Sequence, residues 1–186
     1  MEAHDFAHHL FSGQIENVLN VPTRDYIFYD VLAKFNDKPV SVFQIGGIET
    51  FDVNWRIGSG WSDIIFGQYI SKHGGKLTIA DINLNALANS LYAAHKLGYE
   101  IQDVYGDAIN HIAPGYDIYY LDGSDDPQET FDQFKKIENE KCVIISDDFK
   151  IKGTLLKDYM GLNNIEYTVH DVANQVAVID LQERAK

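Results

Sequence analysis

The sequence predicts an α/β fold, with one doubly wound, mostly parallel sheet of seven strands and helices on both faces. Two observations predict it. After Pro39, short and continuously apolar runs alternate with helix-compatible stretches, which is typical of parallel strands buried on both faces. The chain then closes with two apolar runs joined by a short turn at Ala173-Asn174, which predicts an antiparallel hairpin at the end of the sheet.

The predicted elements follow one another in the order of a Rossmann-like fold. The strands are expected at 40–45, 76–81, 100–105, 116–122 and 141–147, with the hairpin strands at 165–172 and 175–181. The helices between them are expected at 62–73, 84–97, 107–112, 127–138 and 152–160. The crossovers between parallel strands should be right-handed.

Two helices are expected before the first strand. They cover 1–19 and 23–35, and Thr23 is the predicted N-cap of the second. We therefore divide the chain into an N-terminal helical cap, 1–38, and a ligand-binding domain, 39–186, which form one compact unit. A chain of 186 residues is long enough to bury a full core.

Composition excludes several classes of protein. The formal net charge is −13, from 15 basic and 28 acidic side chains, so we expect no nucleic-acid partner, because phosphates are bound largely by lysine and arginine. No apolar stretch approaches the ~18 residues of a membrane span, and the N-terminus does not resemble a secretory signal. We expect a cytoplasmic protein without a membrane partner, in which the single Cys142 is an inert core thiol.

The first strand is followed by two glycine clusters, at the edge where open α/β sheets bind ligands. Gly46-Gly47 follows the strand directly, and Gly58-Ser59-Gly60 precedes the next helix. Ser62 is the predicted N-cap of that helix, whose free N–H groups would face a carboxylate or phosphate. The clusters are interpreted either as one interrupted ligand loop or as a surface loop with turn glycines.

Acidic residues end the next two strands. Asp81 ends the second strand, 21 positions after Gly60 (81 − 60), and this is the usual place of an acid that binds ribose hydroxyls. The third strand ends at Gly106-Asp107-Ala108. Asp107 could accept a hydrogen bond from an adenine amino group, or serve as a helix N-cap.

Three more carboxylates follow the fourth and fifth strands. Asp122 ends the fourth, and Asp147 and Asp148 end the fifth. Neighbouring carboxylates repel one another unless a cation, hydrogen-bond donors or raised pKa values compensate. The sequence leaves two readings open: a Mg²⁺ or Ca²⁺ site with oxygen ligands, or solvated helix caps.

Five stretches at strand ends carry a family resemblance: "GSGWS", "LTIADIN", "VYGDA", "YDIYYLDGSDD" and "VIISDDF". Together they resemble the class I S-adenosylmethionine-dependent methyltransferases, in particular the small branch with catechol and caffeoyl-coenzyme A O-methyltransferases. The resemblance covers about residues 39 to 182. It implies S-adenosylmethionine as cofactor, Mg²⁺ as an optional second one, and O-methylation of a small hydroxylated molecule.

The resemblance also implies roles for single residues. The cofactor-binding positions it implies are Gly46, Gly47, Gly58, Gly60, Ser62, Asp81, Ile82, Gly106, Asp107, Ala108 and Asp122. Asp122, Asp147 and Asp148 correspond to metal ligands. Asp122 and Asp147 are the catalytic candidates, and His111, which follows the third strand closely, is considered as a base that would act without a metal.

The sequence departs from the family pattern at several points. Gln44 stands where the first strand usually ends in an acid, Asp148 where the third metal ligand is usually an amide, and Asp125 where catechol-type enzymes carry a basic lysine. The loop between Gly46 and Gly58 is also longer than the usual family turn. Two alternatives therefore stay open. One is an NAD-dependent oxidoreductase, against which the terminal hairpin argues; the other is a protein of this fold that binds the cofactor or a partner without turnover.

The N-terminal helices and the segment between the glycine clusters are candidates for a lid over the acceptor, with ordinary packing as the alternative for the helices. The lid would include Phe51, Trp55 and Trp61. A homodimer is compatible with the sequence.

Overall fold

Seven strands form one sheet in the computed structural model, which describes residues 24–51, 61–172 and 174–182. The strands are β1 Val40–Ile45, β2 Gly75–Asp81, β3 Gln102–Tyr105, β4 Ile118–Leu121, β5 Val143–Ser146, β6 Thr168–His170 and β7 Val176–Asp180. Their order across the sheet is β3-β2-β1-β4-β5-β7-β6. β1 to β5 are parallel, and β7 is antiparallel to both β5 and β6. The predicted fold class and terminal hairpin are confirmed.

Six α-helices accompany the sheet in the described part of the chain. They are α1 Asp25–Ala33, α2 Ser62–His73, α3 Leu84–Leu97, α4 Pro127–Ile137, α5 Phe149–Lys152 and α6 Thr154–Leu162. One helix prediction is wrong, because the stretch 107–112 forms only a 3₁₀ turn over Ala108–Asn110. The helix predicted at 152–160 is confirmed as α6 with a shift of two residues, and Gly153 separates it from the short helix α5, which the sequence did not predict.

The two faces of the sheet are covered by different helices. Val40 and Val42 of β1 face a core with α1, α2 and α3, whereas Phe43 and Ile45 face a core with α4, α5 and α6. Side chains alternate between the faces of a strand, and both faces of β1 are buried. The continuous apolar run 40–45 therefore follows from helices on both sides.

The helix α1 belongs to the main core. The ring centroid of Phe28 lies 5.4 Å from that of Phe66 in α2 and 5.3 Å from that of Tyr120 in β4. A helix that contributes a fully buried aromatic side chain to the core is a packing element, so packing rather than a lid accounts for 25–33.

The division into 1–38 and 39–186 stays a prediction.

Several predictions lie outside the described residues: the helix at 1–19, the cap Thr23, the glycines Gly58 and Gly60, Trp55, and Ala173 of the hairpin turn. Cys142 is buried, as predicted, and burial raises the pKa of its thiol to about 12. None of the described helices is long and apolar enough to cross a membrane.

Candidate functional site

The strand order reverses between β1 and β4, and the candidate site lies at the carboxyl ends of these two strands. From β1 the chain adds β2 and then β3 on one side, and it then returns to place β4 on the other side of β1. In open α/β sheets this switch point is where ligands bind. Gly46 follows β1 and Asp122 follows β4, so these two residues flank the crevice.

Gly46 is held in a conformation that only glycine adopts readily. Its φ is +91°, and a Cβ atom added there would lie 2.7 Å from the backbone oxygen of Asp122. Its N–H donates to the carbonyl of Ala80 over 3.0 Å. A side chain would therefore be strained and would also collide with the β4 end, so glycine is what lets the two strand ends approach.

The turn after Gly46 is fastened to helix α3 and to β2. The N–H of Gly47 donates to Oδ2 of Asp81 over 2.7 Å, and the N–H of Ile48 donates to Oγ of Ser90 over 3.0 Å. Asn89 donates to the Ile48 carbonyl over 2.9 Å. This glycine turn and the predicted ribose acid therefore form one connected unit.

Asp81 keeps acceptor capacity for a ligand. Its Oδ2 accepts from Gly47, and its Oδ1 accepts from the N–H of Asn83 over 2.7 Å. Each carboxylate oxygen has two lone pairs, so each can accept one more hydrogen bond. Ile82, the next residue, is 72% exposed and offers an apolar surface beside that carboxylate.

At the end of β3, the structure confirms one of the two roles predicted for Asp107, that of a helix N-cap. Its side chain accepts a hydrogen bond from the N–H of Ile109 over 3.1 Å, so it is the N-cap of the 3₁₀ turn. Ala108 behind it is buried. Gly106 has a φ of +140°, and a Cβ there would lie 2.9 Å from Nε2 of His111.

His111 lies on the wrong side of the site for the predicted role as base. It packs against Gly106 at the end of β3, and β2 and β1 separate β3 from β4. Three strand spacings of ~4.8 Å amount to about 14 Å of sheet width between His111 and the β4 end. The histidine therefore does not meet Asp122.

Gln44 occupies the place of the family's acid and makes a bond that an acid could not make. Its side-chain Nε2 donates to the carbonyl of Gly46 over 2.7 Å, and the side chain is buried. A carboxylate has no donor for this bond at neutral pH. Gln44 therefore holds the Gly46 turn from below.

The carboxylates after β4 and β5 meet two cationic side chains. Lys152, at the end of α5, places its Nζ 2.8 Å from Oδ1 of Asp122 and 3.4 Å from Oδ2 of Asp148. Arg24 forms a buried ion pair with Oδ2 of Asp147. The site therefore balances its acidic charge largely from within the chain.

Asp147 is buried, and both of its carboxylate oxygens already have partners within the chain. Besides Arg24, Oδ2 accepts from the Tyr120 hydroxyl over 2.6 Å, and Oδ1 accepts from the N–H of Asp148 over 2.8 Å. The Asp147 side chain is 1% exposed. Burial and then Asp122 raise the pKa of Tyr120, which keeps its hydroxyl protonated as a donor.

The predicted metal ligands do not fit a Mg²⁺ ion. Within 24–51, 61–172 and 174–182, no three His, Cys, Asp or Glu side chains form a group that could hold one. Mg²⁺ needs near-octahedral oxygen ligands about 2.1 Å away. Asp147, however, is buried and ion-paired with Arg24, and the ammonium group of Lys152 lies between Asp122 and Asp148. No step of the proposed reaction is therefore assigned to a metal.

Two predictions around the start of α2 are wrong. The helix begins at Ser62, but the cap position is Trp61, with a left-handed φ of 40°, and no side-chain hydrogen bond caps the helix. Trp61 is also buried: its Nε1 donates to the carbonyl of Thr50 over 3.1 Å, and its ring lies 6.4 Å from that of Phe51. It is a core residue and not part of a lid.

Asp63 is a buried acid that the sequence reading overlooked. It lies in the first turn of α2, and neither carboxylate oxygen has a hydrogen-bond partner of standard geometry among the described residues. Burial raises the pKa of Asp63 to about 6, and the nearby Ser90 hydroxyl partly opposes this shift. Ser90 also holds Ile48 of the glycine turn, so Asp63 lies beneath the candidate site.

Sequence reasoning also missed both cations of the site. Lys152 follows Asp148 by four residues, the spacing of a helical ion pair, so this partner could have been found. Arg24 comes from α1's preceding turn and reaches β5 only through the fold. No local signal connects Arg24 to Asp147.

Solved structures share this fold. A methyltransferase of Podospora anserina with bound S-adenosylhomocysteine superposes with a TM-score of 0.63 at 15% identity, covering 97% of this chain and 88% of its own. An O-methyltransferase of Bacillus cereus in complex with S-adenosylhomocysteine gives 0.56 at 12% identity, covering 95% and 96%. A Geobacter sulfurreducens methyltransferase gives 0.61 at 14% identity, covering 97% and 88%.

No protein-family model matches the chain, and no curated protein matches it. The likeness to the solved structures is one of fold, and at that level the predicted resemblance to methyltransferases is confirmed.

Proposed function

We propose that the protein is an S-adenosylmethionine-dependent methyltransferase that methylates a hydroxyl oxygen of a small molecule. One observation carries the proposal: the glycine turn after β1 and the acid at the end of β2 are joined by the Gly47–Asp81 hydrogen bond at the switch point. A glycine turn and an acid so placed suit an adenosine ligand. Two solved structures of the same fold hold S-adenosylhomocysteine, which supports the choice of adenosine ligand.

The residues at the strand ends fit this cofactor in order across the sheet. Asp81, with acceptor capacity on both oxygens, would hold the ribose hydroxyls. Ile82, with Asp107 and Ala108 at the next strand end, would border the adenine. The cofactor's remaining part would then extend over the Gly46 turn toward β4.

Asp122 lies at the β4 end of this path. When bound, S-adenosylmethionine supplies a methyl group that its sulfonium already activates for transfer. The Asp122 carboxylate, 23% exposed and fixed by Lys152, would favour the positive charge there. The remaining work of the protein is alignment of the acceptor and removal of its proton.

Asp122 is also the group we assign to accept the hydroxyl proton of the acceptor. Of the three catalytic candidates, Asp147 is buried and ion-paired with Arg24. His111 lies at the β3 end. Asp122 alone borders the crevice and reaches solvent, to which the proton would pass afterwards.

Calorimetric titration of S-adenosylhomocysteine into two variants tests the cofactor path. Asp81→Ala removes hydrogen bonds to the ribose, and bonds to a charged group contribute about 1.5–3 kcal/mol. We therefore expect its dissociation constant to rise roughly ten- to hundredfold. Asp103→Ala removes an exposed acid on β3 and should bind like the wild type. Equal affinity in Asp81→Ala and Asp103→Ala would contradict the assignment.

A further inference from the structure

Lys152 is a buried lysine surrounded by oxygen atoms. Its side chain is 3% exposed. Its Nζ lies 2.8 Å from Oδ1 of Asp122, 3.2 Å from the carbonyl oxygen of Gly123 and 3.4 Å from Oδ2 of Asp148. A lysine is seldom fully buried unless it is paired, and here three acceptors converge on one ammonium group.

These three oxygens form the type of donor set that a hard divalent cation takes. Such ions are bound by carboxylates and backbone carbonyls, and the set around Lys152 consists of two carboxylates and one carbonyl. The ammonium group of Lys152 donates hydrogen bonds to Asp122 and to the Gly123 carbonyl, and it forms an ion pair with Asp148. The lysine therefore satisfies the same ligands that would otherwise surround an ion.

The charge on Lys152 is secured by the same contacts. Lysine is ordinarily a cation at neutral pH, and here the carboxylates of Asp122 and Asp148 both face its ammonium group. With Arg24 on Asp147, two cations already face three carboxylates.

We propose that Lys152 is the built-in cation of this site: it occupies the position of a divalent ion, and it positions Asp122 at the crevice without a metal. The role of Asp122 in methyl transfer rests on the proposed function, whereas the replacement of an ion by Lys152 does not. Lys152 is accordingly a positioning residue, since its buried ammonium group contacts Asp122, Gly123 and Asp148.

Manganese binding tests the replacement directly. Lys152→Met keeps most of the side-chain volume and removes the charge, so Asp122, Asp148 and the Gly123 carbonyl are left without their cation. Lys150→Met, at an exposed position of the same helix, is the matched control. Electron paramagnetic resonance titration with Mn²⁺ should show one additional site in Lys152→Met, relative to both the wild type and Lys150→Met.

Thermal unfolding provides a second readout. In EDTA, Lys152→Met should unfold at a lower temperature than the wild type, and Mn²⁺ or Ca²⁺ should restore part of the loss. Neither ion should stabilise the wild type or Lys150→Met more than a general salt effect does. Lys152→Arg, which retains a cation, should likewise gain no Mn²⁺ site.

Two results would overturn the proposal. One is an equal number of Mn²⁺ sites in folded Lys152→Met and in the wild type. The other needs no Lys152 variant, in case Lys152→Met does not fold: stabilisation of the wild type by Mn²⁺ that disappears in Asp148→Asn. Binding of S-adenosylhomocysteine by the wild type in EDTA separately tests the proposed function, so the two failures are distinguishable.

Discussion

Replacement of Asp63 by asparagine should stabilise the protein, and by an amount that depends on pH. Asp63 is 1% exposed, and no standard hydrogen bond reaches its carboxylate from the described residues. Burial raises its pKa from 3.8 to about 6. The folded protein therefore binds the Asp63 proton more tightly than the unfolded chain does.

The sign and size of the effect follow from this difference. Below about pH 4 the acid is protonated in both states, so it costs no stability. As the pH rises from 4 to 6, the unfolded chain loses the Asp63 proton while the folded protein still holds it. The free energy of unfolding therefore falls over this range, by about 3 kcal/mol in total. Asp63→Asn has no charge to bury, so its advantage should grow over the same range.

Urea unfolding of the wild type and Asp63→Asn, at a series of pH values from about 4 to about 8, measures this advantage. Asp30→Asn, at an exposed position of α1, serves as the control for the loss of one acid. The asparagine amide adds its own unpaired groups, but that offset is independent of pH. The same difference in unfolding free energy at both ends of the range would refute the reasoning.

Two further substitutions test the switch point. Gly46→Ala should destabilise the protein and weaken S-adenosylhomocysteine binding, because its Cβ would lie 2.7 Å from the Asp122 carbonyl at a φ of +91°. The control is Gly161→Ala, whose added Cβ meets nothing within 4 Å. In chemical denaturation this control should be neutral or stabilising by up to ~1 kcal/mol. Tyr120→Phe should cost about 1–3 kcal/mol of unfolding free energy, since it removes the hydroxyl 2.6 Å from Asp147 Oδ2; a loss no larger than that of exposed Tyr105→Phe would contradict the buried network.

Much of the fold could be predicted because its signals are local. The run 40–45 and the helices 62–73 and 84–97 have the predicted bounds. Each is an apolar or helix-compatible stretch with glycine, proline or polar residues at its ends. The four-residue helix α5, which Gly153 separates from α6, was not predicted, because so short a stretch has no recognisable helical pattern.

The site was predictable only in part, because its contacts join distant parts of the chain. Strand ends located Gly46 and Asp81, and the fold joins the two through Gly47. Strand order, which is not local, places His111 away from Asp122. Arg24 precedes α1 and meets Asp147 only through the fold. Lys152 is local to Asp148 but lies 30 positions from Asp122, so the carboxylates alone suggested a metal instead.

Calorimetric titration of the wild-type protein in EDTA, with S-adenosylmethionine, S-adenosylhomocysteine and NAD in turn, tests the central claim most directly. The joined Gly47–Asp81 unit predicts that both adenosyl sulfur compounds bind. The antiparallel strands β7 and β6, which stand where a dinucleotide-binding fold has a sixth parallel strand, predict that NAD does not. Binding of NAD without binding of S-adenosylhomocysteine would contradict the account.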